Sequence, residues 1–223
     1  MVIGATGAVG SSLTRSLLAS PVWDAVTILT RRPAEMFAGA PGIQKLTRQV
    51  VDLEQLEPEA ARAAQRCDAA FCTMGIGQPR KVSREEFWKV DVVYAGRFAH
   101  ACKAAGVRHL SLLSSVGANP LSRNYYLHVK GSAEIWCRAA ELARLSLFRP
   151  SLLATREIRY GLQDWMAQKI FPRLSWAFPR RFHEITVEDL GQAMRLNAER
   201  EGSGAEVLHY PEFQVLLQGS AGR

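Results

Sequence analysis

The first ten residues, Met1-Val2-Ile3-Gly4-Ala5-Thr6-Gly7-Ala8-Val9-Gly10, constrain this chain more than any other stretch. An apolar run leads into glycines at every third position, and Leu13, Leu17 and Leu18 follow at helical spacing. Strand, glycine turn and helix in that order set backbone N–H groups and the positive end of a helix dipole at the C-terminal edge of a sheet, a place that binds phosphate. Gly4 lets the chain turn off the strand, Gly7 lets a pyrophosphate approach the backbone, and Gly10 lets the helix pack close to the sheet. With Ala5, Thr6, Ala8 and Val9 they form a candidate nucleotide cradle. An ordinary tight turn is the plainer reading of the glycines alone; the strand before and the helix after favour the nucleotide. Only three residues precede Gly4, fewer than the about five to six of an average strand. The intact chain is therefore expected to begin a few residues upstream.

Apolar strand-like runs alternate with helical ones down the chain. Strands are expected at residues 25–30, 45–51, 68–73, 109–114, 145–148 and 206–210, and helices at 56–65, 84–105, 126–143 and 187–200. Gly106 is placed to close the long helix, and Thr186 to cap the last one. Continuous apolar strands separated by helices argue an α/β fold, a doubly wound parallel Rossmann sheet with helices on both faces. The 223 residues suit one domain. Residues 1–150 form its dinucleotide-binding core and 151–223 a C-terminal substrate-cover segment. The tail after Gln218 is expected to fray.

The end of the second strand decides between cofactors. An NAD site carries an acid about twenty residues beyond the glycine loop, on the ribose 2′-OH. Thr30-Arg31-Arg32 stands there instead. Two guanidiniums suit a 2′-phosphate, which points to NADP(H) rather than NAD. Thr73, Met74 and Gly75, at the end of the fourth strand, are expected to pass beside the cofactor, or else to pack the strand end.

A second group of residues carries chemistry. Tyr126 and Lys130 stand four apart, hence on one helix face. An ammonium near a phenol favours the phenolate, so the phenol can exchange a proton with a carbonyl oxygen. Ser114 and Ser115 end the fifth strand and point to opposite faces, so one of them can bond that oxygen; Ser115 is favoured. A helix-surface Tyr–Lys pair is the plainer reading, and the glycine loop and the serines argue against it. His128 lies between Tyr126 and Lys130 but points elsewhere, and His183 is a weak substrate contact.

Residues 4–10, Val51-Asp52-Leu53, Phe71-Cys72-Thr73-Met74-Gly75, Leu112-Leu113-Ser114-Ser115-Val116-Gly117-Ala118, Tyr126-Leu127-His128-Val129-Lys130-Gly131 and Phe148-Arg149-Pro150 occur in one order. In this the chain resembles the atypical short-chain dehydrogenase/reductases, and within them the Tat-interacting-protein oxidoreductase group. The resemblance covers nearly the whole chain. It implies a Rossmann fold, NADPH, and hydride transfer aided by a Ser-Tyr-Lys triad. Tyr126 would exchange the proton, Ser115 would polarise the substrate carbonyl, and Lys130 would also hold the nicotinamide ribose. Asp52 and Leu53 would flank the adenine, and Pro150 would border the cofactor. The usual supporting Asn has no counterpart in the long helix, where Asp91 stands instead; this departs from the family's proton relay.

Composition bounds the partners. The net charge of +7 is scattered apart from pairs such as Arg31-Arg32 and Arg180-Arg181, so no nucleic-acid stripe forms. No apolar run approaches a membrane span and the opening residues do not read as a signal peptide. The four cysteines make no Cys-x-x-Cys pair and no zinc spacing, and fit reduced, buried thiols of a cytoplasmic protein without a metal. Residues 151–183 mix Trp165, Phe171, Trp176, Phe178 and Phe182 with five arginines. A substrate cover is preferred there over core packing, a dimer surface or an interfacial helix on anionic lipid. The expected partner is a small-molecule carbonyl, and the chain is a monomer or a homodimer, two long helices offering a four-helix interface. A binding module that senses NADPH with little or no turnover is the alternative to the enzyme.

Overall fold

The computed structural model describes residues 1–33, 35–154 and 179–220. Parallel strands β1 (Val2–Ile3), β2 (Val26–Thr30), β3 (Leu46–Val50), β4 (Ala69–Cys72), β5 (His109–Leu113), β6 (Arg144–Phe148) and β9 (Gly204–Leu208) form one sheet in the order β3-β2-β1-β4-β5-β6-β9. Two short strands, β7 (Leu153–Ala154) and β8 (Ile185–Thr186), pair with each other beside it. Because side chains alternate along a strand, the sheet feeds two cores. Ile3, Leu29, Cys72, Leu110 and Leu147 face one layer of helices; Val2, Ile28, Phe71, Phe148 and Leu208 face the other.

The first layer holds α2 (Leu56–Ala63), α4 (Tyr94–Ala104) and α5 (Tyr125–Arg138). The second holds α1 (Ala8–Ala19), α6 (Val187–Ala198) and α7 (Tyr210–Ser220). Each fully buried Leu or Phe in these layers contributes about 1.5–3 kcal/mol, and Leu13, Leu17, Phe71, Phe98, Phe148 and Phe213 are among them.

The expected doubly wound sheet is present, with several boundaries moved. The long helix is α3 (Arg84–Trp88), a π-helical turn over Lys89–Val93, and α4. It closes as expected on Gly106, at φ +82°, with Val107 N–H donating to Cys102 O and Gly106 N–H to Lys103 O. Helix α5 stops at Arg138, five residues short of the expected end, and Glu141 takes a left-handed turn at φ +52°. The last strand runs over Gly204–Leu208, two residues earlier than expected, since Tyr210 already opens α7. Within the segment set apart as a cover, α6, β9 and α7 build the core. The aromatic stretch 155–178 lies outside the described residues.

Candidate active site

The strand order reverses direction between β1 and β4, and a crevice opens there beyond the C-terminal strand ends. A cleft of about 280 Å³ occupies it. Its walls are Gly7, Ala8 and Val9 after β1; Thr73, Met74, Gly75, Ile76 and Gly77 after β4; Leu113, Ser114 and Ser115 at β5; Tyr126 and Lys130 on α5; and Pro150, Ser151 and Leu153 after β6.

The three glycines meet different surroundings. Gly4 sits at φ +86°, and a Cβ there would run into Met74 N. A Cβ on Gly10 would collide with Gly4 O and stand 2.5 Å from Thr73 Oγ1. Gly7 is different: a Cβ there would meet only Gly4 O, at 3.4 Å, and would otherwise enter the cleft. Gly7 is also the N-cap of α1, with no side-chain cap, so the helix start is open on that side. This is a cradle that a side chain would fill and a pyrophosphate fits. Ala5 is buried in the core and Thr6 is exposed; neither lines the cleft.

Arg31 and Arg32 follow β2 directly, both exposed. Asp52, at the neighbouring end of β3, accepts a hydrogen bond from Glu54 N–H at 3.0 Å, while Leu53 packs against the first core. These four lie outside the cleft wall. Thr73 donates its hydroxyl to Ile3 O at 3.0 Å, fastening β4 to β1 at the cleft floor.

The two serines separate clearly. Ser114 is buried and donates to Glu134 Oε1 at 2.5 Å. Ser115 is partly exposed and makes one weak bond, to Val116 O at 3.3 Å. Its hydroxyl makes no stronger bond among the described residues, whereas that of Ser114 is committed to Glu134. Tyr126 stacks on Phe87, ring centroids 6.0 Å apart, and its hydroxyl has no hydrogen-bond partner among the described residues. Lys130 Nζ stands 5.9 Å from the Tyr126 ring and pairs with Asp91 Oδ1 at 2.7 Å. Burial disfavours the Lys130 ammonium, but Asp91 and then Tyr126 outweigh it and raise its affinity for the proton. His128 points away as expected, its Nδ1 bonded to Pro120 O at 2.5 Å and its ring stacked on Trp88. His183 packs against Tyr210 with the two rings tilted by 52°, and it does not line the cleft.

Sequence reasoning noted Asp91 only as a departure and did not single out Glu134. Glu134 is 5 % exposed at its side chain and takes both Arg149 Nε, at 2.8 Å, and Arg149 Nη2, at 2.5 Å. A signal was available for each. Glu134 follows Tyr126 and Lys130 at the same four-residue spacing, and Asp91 interrupts the apolar stripe Phe87, Tyr94, Phe98. Among the described residues no group of His, Cys, Asp and Glu could hold a metal ion, and no helix is long and apolar enough to cross a membrane.

The chain matches a family model described as NAD(P)H-binding over residues 4–160. It is 36% identical over 207 residues to Protein HTATIP2 of Rattus norvegicus, covering 91% of this chain and 82% of that protein. It is 32% identical over 162 residues to "Protein FMP52-1, mitochondrial" of Scheffersomyces stipitis, covering 72% of this chain and 70% of that one. Among solved structures, MoeE5 in complex with UDP-glucuronic acid and NAD superposes with a TM-score of 0.70 at 22% identity, over 94% of this chain and 75% of that chain. DesIV, a dTDP-glucose 4,6-dehydratase from Streptomyces venezuelae with NAD bound, gives 0.70 at 17% identity, over 99% of this chain and 80% of that chain. These structures share the Rossmann fold.

Proposed function

Since the chain belongs to the NAD(P)H-binding family, as a relative of Protein HTATIP2, we propose that it is an NADP(H)-dependent oxidoreductase that reduces a small-molecule carbonyl. One juxtaposition carries the reading. The open glycine start of α1, Ser115, Tyr126 and Lys130 border a single cleft at the sheet's switch point.

The bound cofactor supplies the hydride. The chain's own residues do the rest. Tyr126 gives its phenolic proton to the carbonyl oxygen, and Ser115 donates a hydrogen bond to the same oxygen. Carbonyl, hydride and proton together make an alcohol. Gly7 and the first turn of α1 hold the pyrophosphate, and Lys130 holds the nicotinamide ribose. Arg31 and Arg32 are exposed, and among the described residues neither has a partner to leave when a 2′-phosphate arrives. The Cys67, Cys72, Cys102 and Cys137 thiols are all free. They suit a reducing compartment, for which the cytoplasm is our assignment.

The test is a panel of aldehydes, ketones and quinones, with NADPH consumption followed by absorbance. Tyr126→Phe and Lys130→Ala should abolish turnover of whichever substrate responds; undiminished rates in both would sink the enzyme reading. The pairing of Lys130 with Asp91, rather than with a free phenol, favours one second reading, an NADPH sensor with little turnover. Tight NADPH binding with no activity across the panel would decide for it. For the cofactor, Arg31→Ala with Arg32→Ala should weaken NADPH by roughly tenfold or more while leaving NADH nearly unchanged. Equal losses for the two cofactors would remove the 2′-phosphate assignment.

A further inference from the structure

Asp91 is the least expected charge in the molecule. It lies in the π turn between α3 and α4, where the stripe of Phe87, Tyr94 and Phe98 turns inward, and its side chain is 1% exposed. Both carboxylate oxygens are used. Oδ1 accepts from Lys130 Nζ at 2.7 Å, and Oδ2 accepts from Ile76 N–H at 2.8 Å. The chain crosses directly over this pair at Gly75, where a Cβ would stand 2.9 Å from Asp91 Oδ1 and 3.3 Å from Lys130 Nζ. One carboxylate thus joins the π turn, α5 and the cleft wall that follows β4.

Stability is a poor account of such a pair. Desolvating two charges is expensive, and apolar residues of similar volume often serve a fold as well. What the pair provides is an ammonium at the edge of a cleft. Lys130 has three N–H donors; among the described residues its one hydrogen bond is to Asp91. We propose that Asp91 is a positioning residue of the cofactor site: it fixes the Lys130 ammonium, charged, in the cleft wall with two donors left over for the vicinal hydroxyls of a ribose. This rests on the cofactor reading above.

The charges around Lys130 favour the same arrangement. The other titratable groups facing Lys130 are Tyr126 on α5 and Cys72 on β4. Burial pushes the Cys72 thiol up to about 12, so it stays neutral near pH 7. Asp91 is then the anion that keeps the proton on Lys130. With Asp91 in place the folded-state affinity for that proton is raised, so the pair's contribution is present in neutral solution and lost only at strongly alkaline pH. Without Asp91 the strongest influence opposing burial is gone, and burial, the largest single influence on Lys130, pulls that affinity down. The folded protein then favours a neutral amine, and its stability recovers as pH rises.

Two measurements on wild type, Asp91→Asn, Lys130→Met and the apolar pair Asp91→Leu with Lys130→Met test this. The first is thermal unfolding without cofactor, between about pH 7 and about pH 10. Lys130 and Ile76 N–H donate to different carboxylate oxygens, and in Asn one of those two positions becomes an NH2 donor, so the amide in the same place cannot accept from both. The Tm deficit of Asp91→Asn should be largest near neutrality and shrink as pH rises. The second is the NADPH dissociation constant, from nicotinamide fluorescence over the same range. Asp91→Asn should bind NADPH roughly tenfold more weakly and lose more affinity toward alkaline pH, unlike wild type. The apolar pair should fold well and bind NADPH as poorly as Lys130→Met. A pH-independent Tm deficit together with a wild-type binding profile would overturn the proposal. So would tight NADPH binding by the apolar pair, which decides the matter if Asp91→Asn does not fold. Wild type that binds no NADPH would instead overturn the cofactor reading, and the unfolding arm would still show whether Asp91 holds the charge.

Discussion

At the scale of single residues, the glycines show how one residue type answers two different demands. Gly10 is small because protein lies against it; Gly7 is small although little protein does. The two substitutions should therefore separate. Gly10→Ala pushes a methyl into Gly4 O and Thr73 Oγ1, an overpacking that costs about 1–3 kcal/mol. That lowers Tm by about 2–4 °C per kcal/mol in a chain of this size. Gly7→Ala stands at φ −75° with its nearest contact at 3.4 Å, so Tm should hold while NADPH affinity falls roughly tenfold or more. Calorimetry and a binding titration on both proteins check it, and a Gly7→Ala protein that binds NADPH normally would take the pyrophosphate out of the cradle. Spacing in the sequence was enough to single out these glycines, and strand alternation enough to set Ser114 and Ser115 on opposite faces. It did not reveal that Asp91 meets Lys130, because the contact joins residues 39 apart and depends on a π turn. A π turn has no period of its own in a pattern read at 3.6 residues.

At the scale of elements, helix α5 holds the site together. Tyr126, Lys130 and Glu134 share one face, and Glu134 binds Ser114 at the end of β5 and Arg149 at the end of β6. Three elements that supply cleft residues are thereby clamped at one buried carboxylate. Glu134→Ala leaves Arg149, 22% exposed, without its partner and should cost about 3 kcal/mol. Ser114→Ala loses one hydrogen bond to a charged group and should cost about 1.5–3 kcal/mol. Ser115→Ala should change stability by less than about 0.5 kcal/mol while lowering turnover roughly tenfold or more. Urea unfolding and steady-state rates on the three proteins test the division; normal turnover in Ser115→Ala with loss in Ser114→Ala would reverse it. The helices and most strands of the main sheet were legible because each sustains its pattern over four or more residues; β1, only two residues long, was legible from the glycine loop that follows it. Strands β7 and β8 span two residues each and offer no period. Helix α7 was missed for a different reason. Pro211 stands in its first turn, where proline is tolerated, so a residue that usually ends helices was here beginning one. The spacing of Phe213, Leu216 and Leu217 carried the helical signal beyond it.

At the scale of the whole molecule, the parallel sheet separates two kinds of polar grouping. The cleft lies at the C-terminal strand ends. Toward the opposite edge, His109, Arg144, Ser146, Asn197 and Glu206 form a buried network between β5, β6, β9 and α6. Its proton positions follow from its bonds. Ser146 has one proton and gives it to Glu206 Oε1 at 2.6 Å, and it accepts from Asn197 Nδ2 at 2.9 Å. His109 Nε2, at 2.7 Å from Ser146 Oγ, must then be the donor of that pair. Nδ1 is left bare, buried and without a partner. A second proton there would bring an unpaired charge into the core, next to Arg144. Burial first, and Arg144 second, accordingly lower the His109 pKa to about 4. A depressed folded-state pKa contributes stability that is complete above the unfolded value, about 6.5, and disappears as pH falls through the folded one. The unfolding free energy of the wild type should therefore drop between about pH 6.5 and about pH 4 by on the order of 3 kcal/mol more than that of His109→Gln, which has no proton to gain. Urea denaturation at a series of pH values gives the two curves. Their convergence toward acid is the expected result, and parallel curves would mean that the network does not exclude the proton from His109.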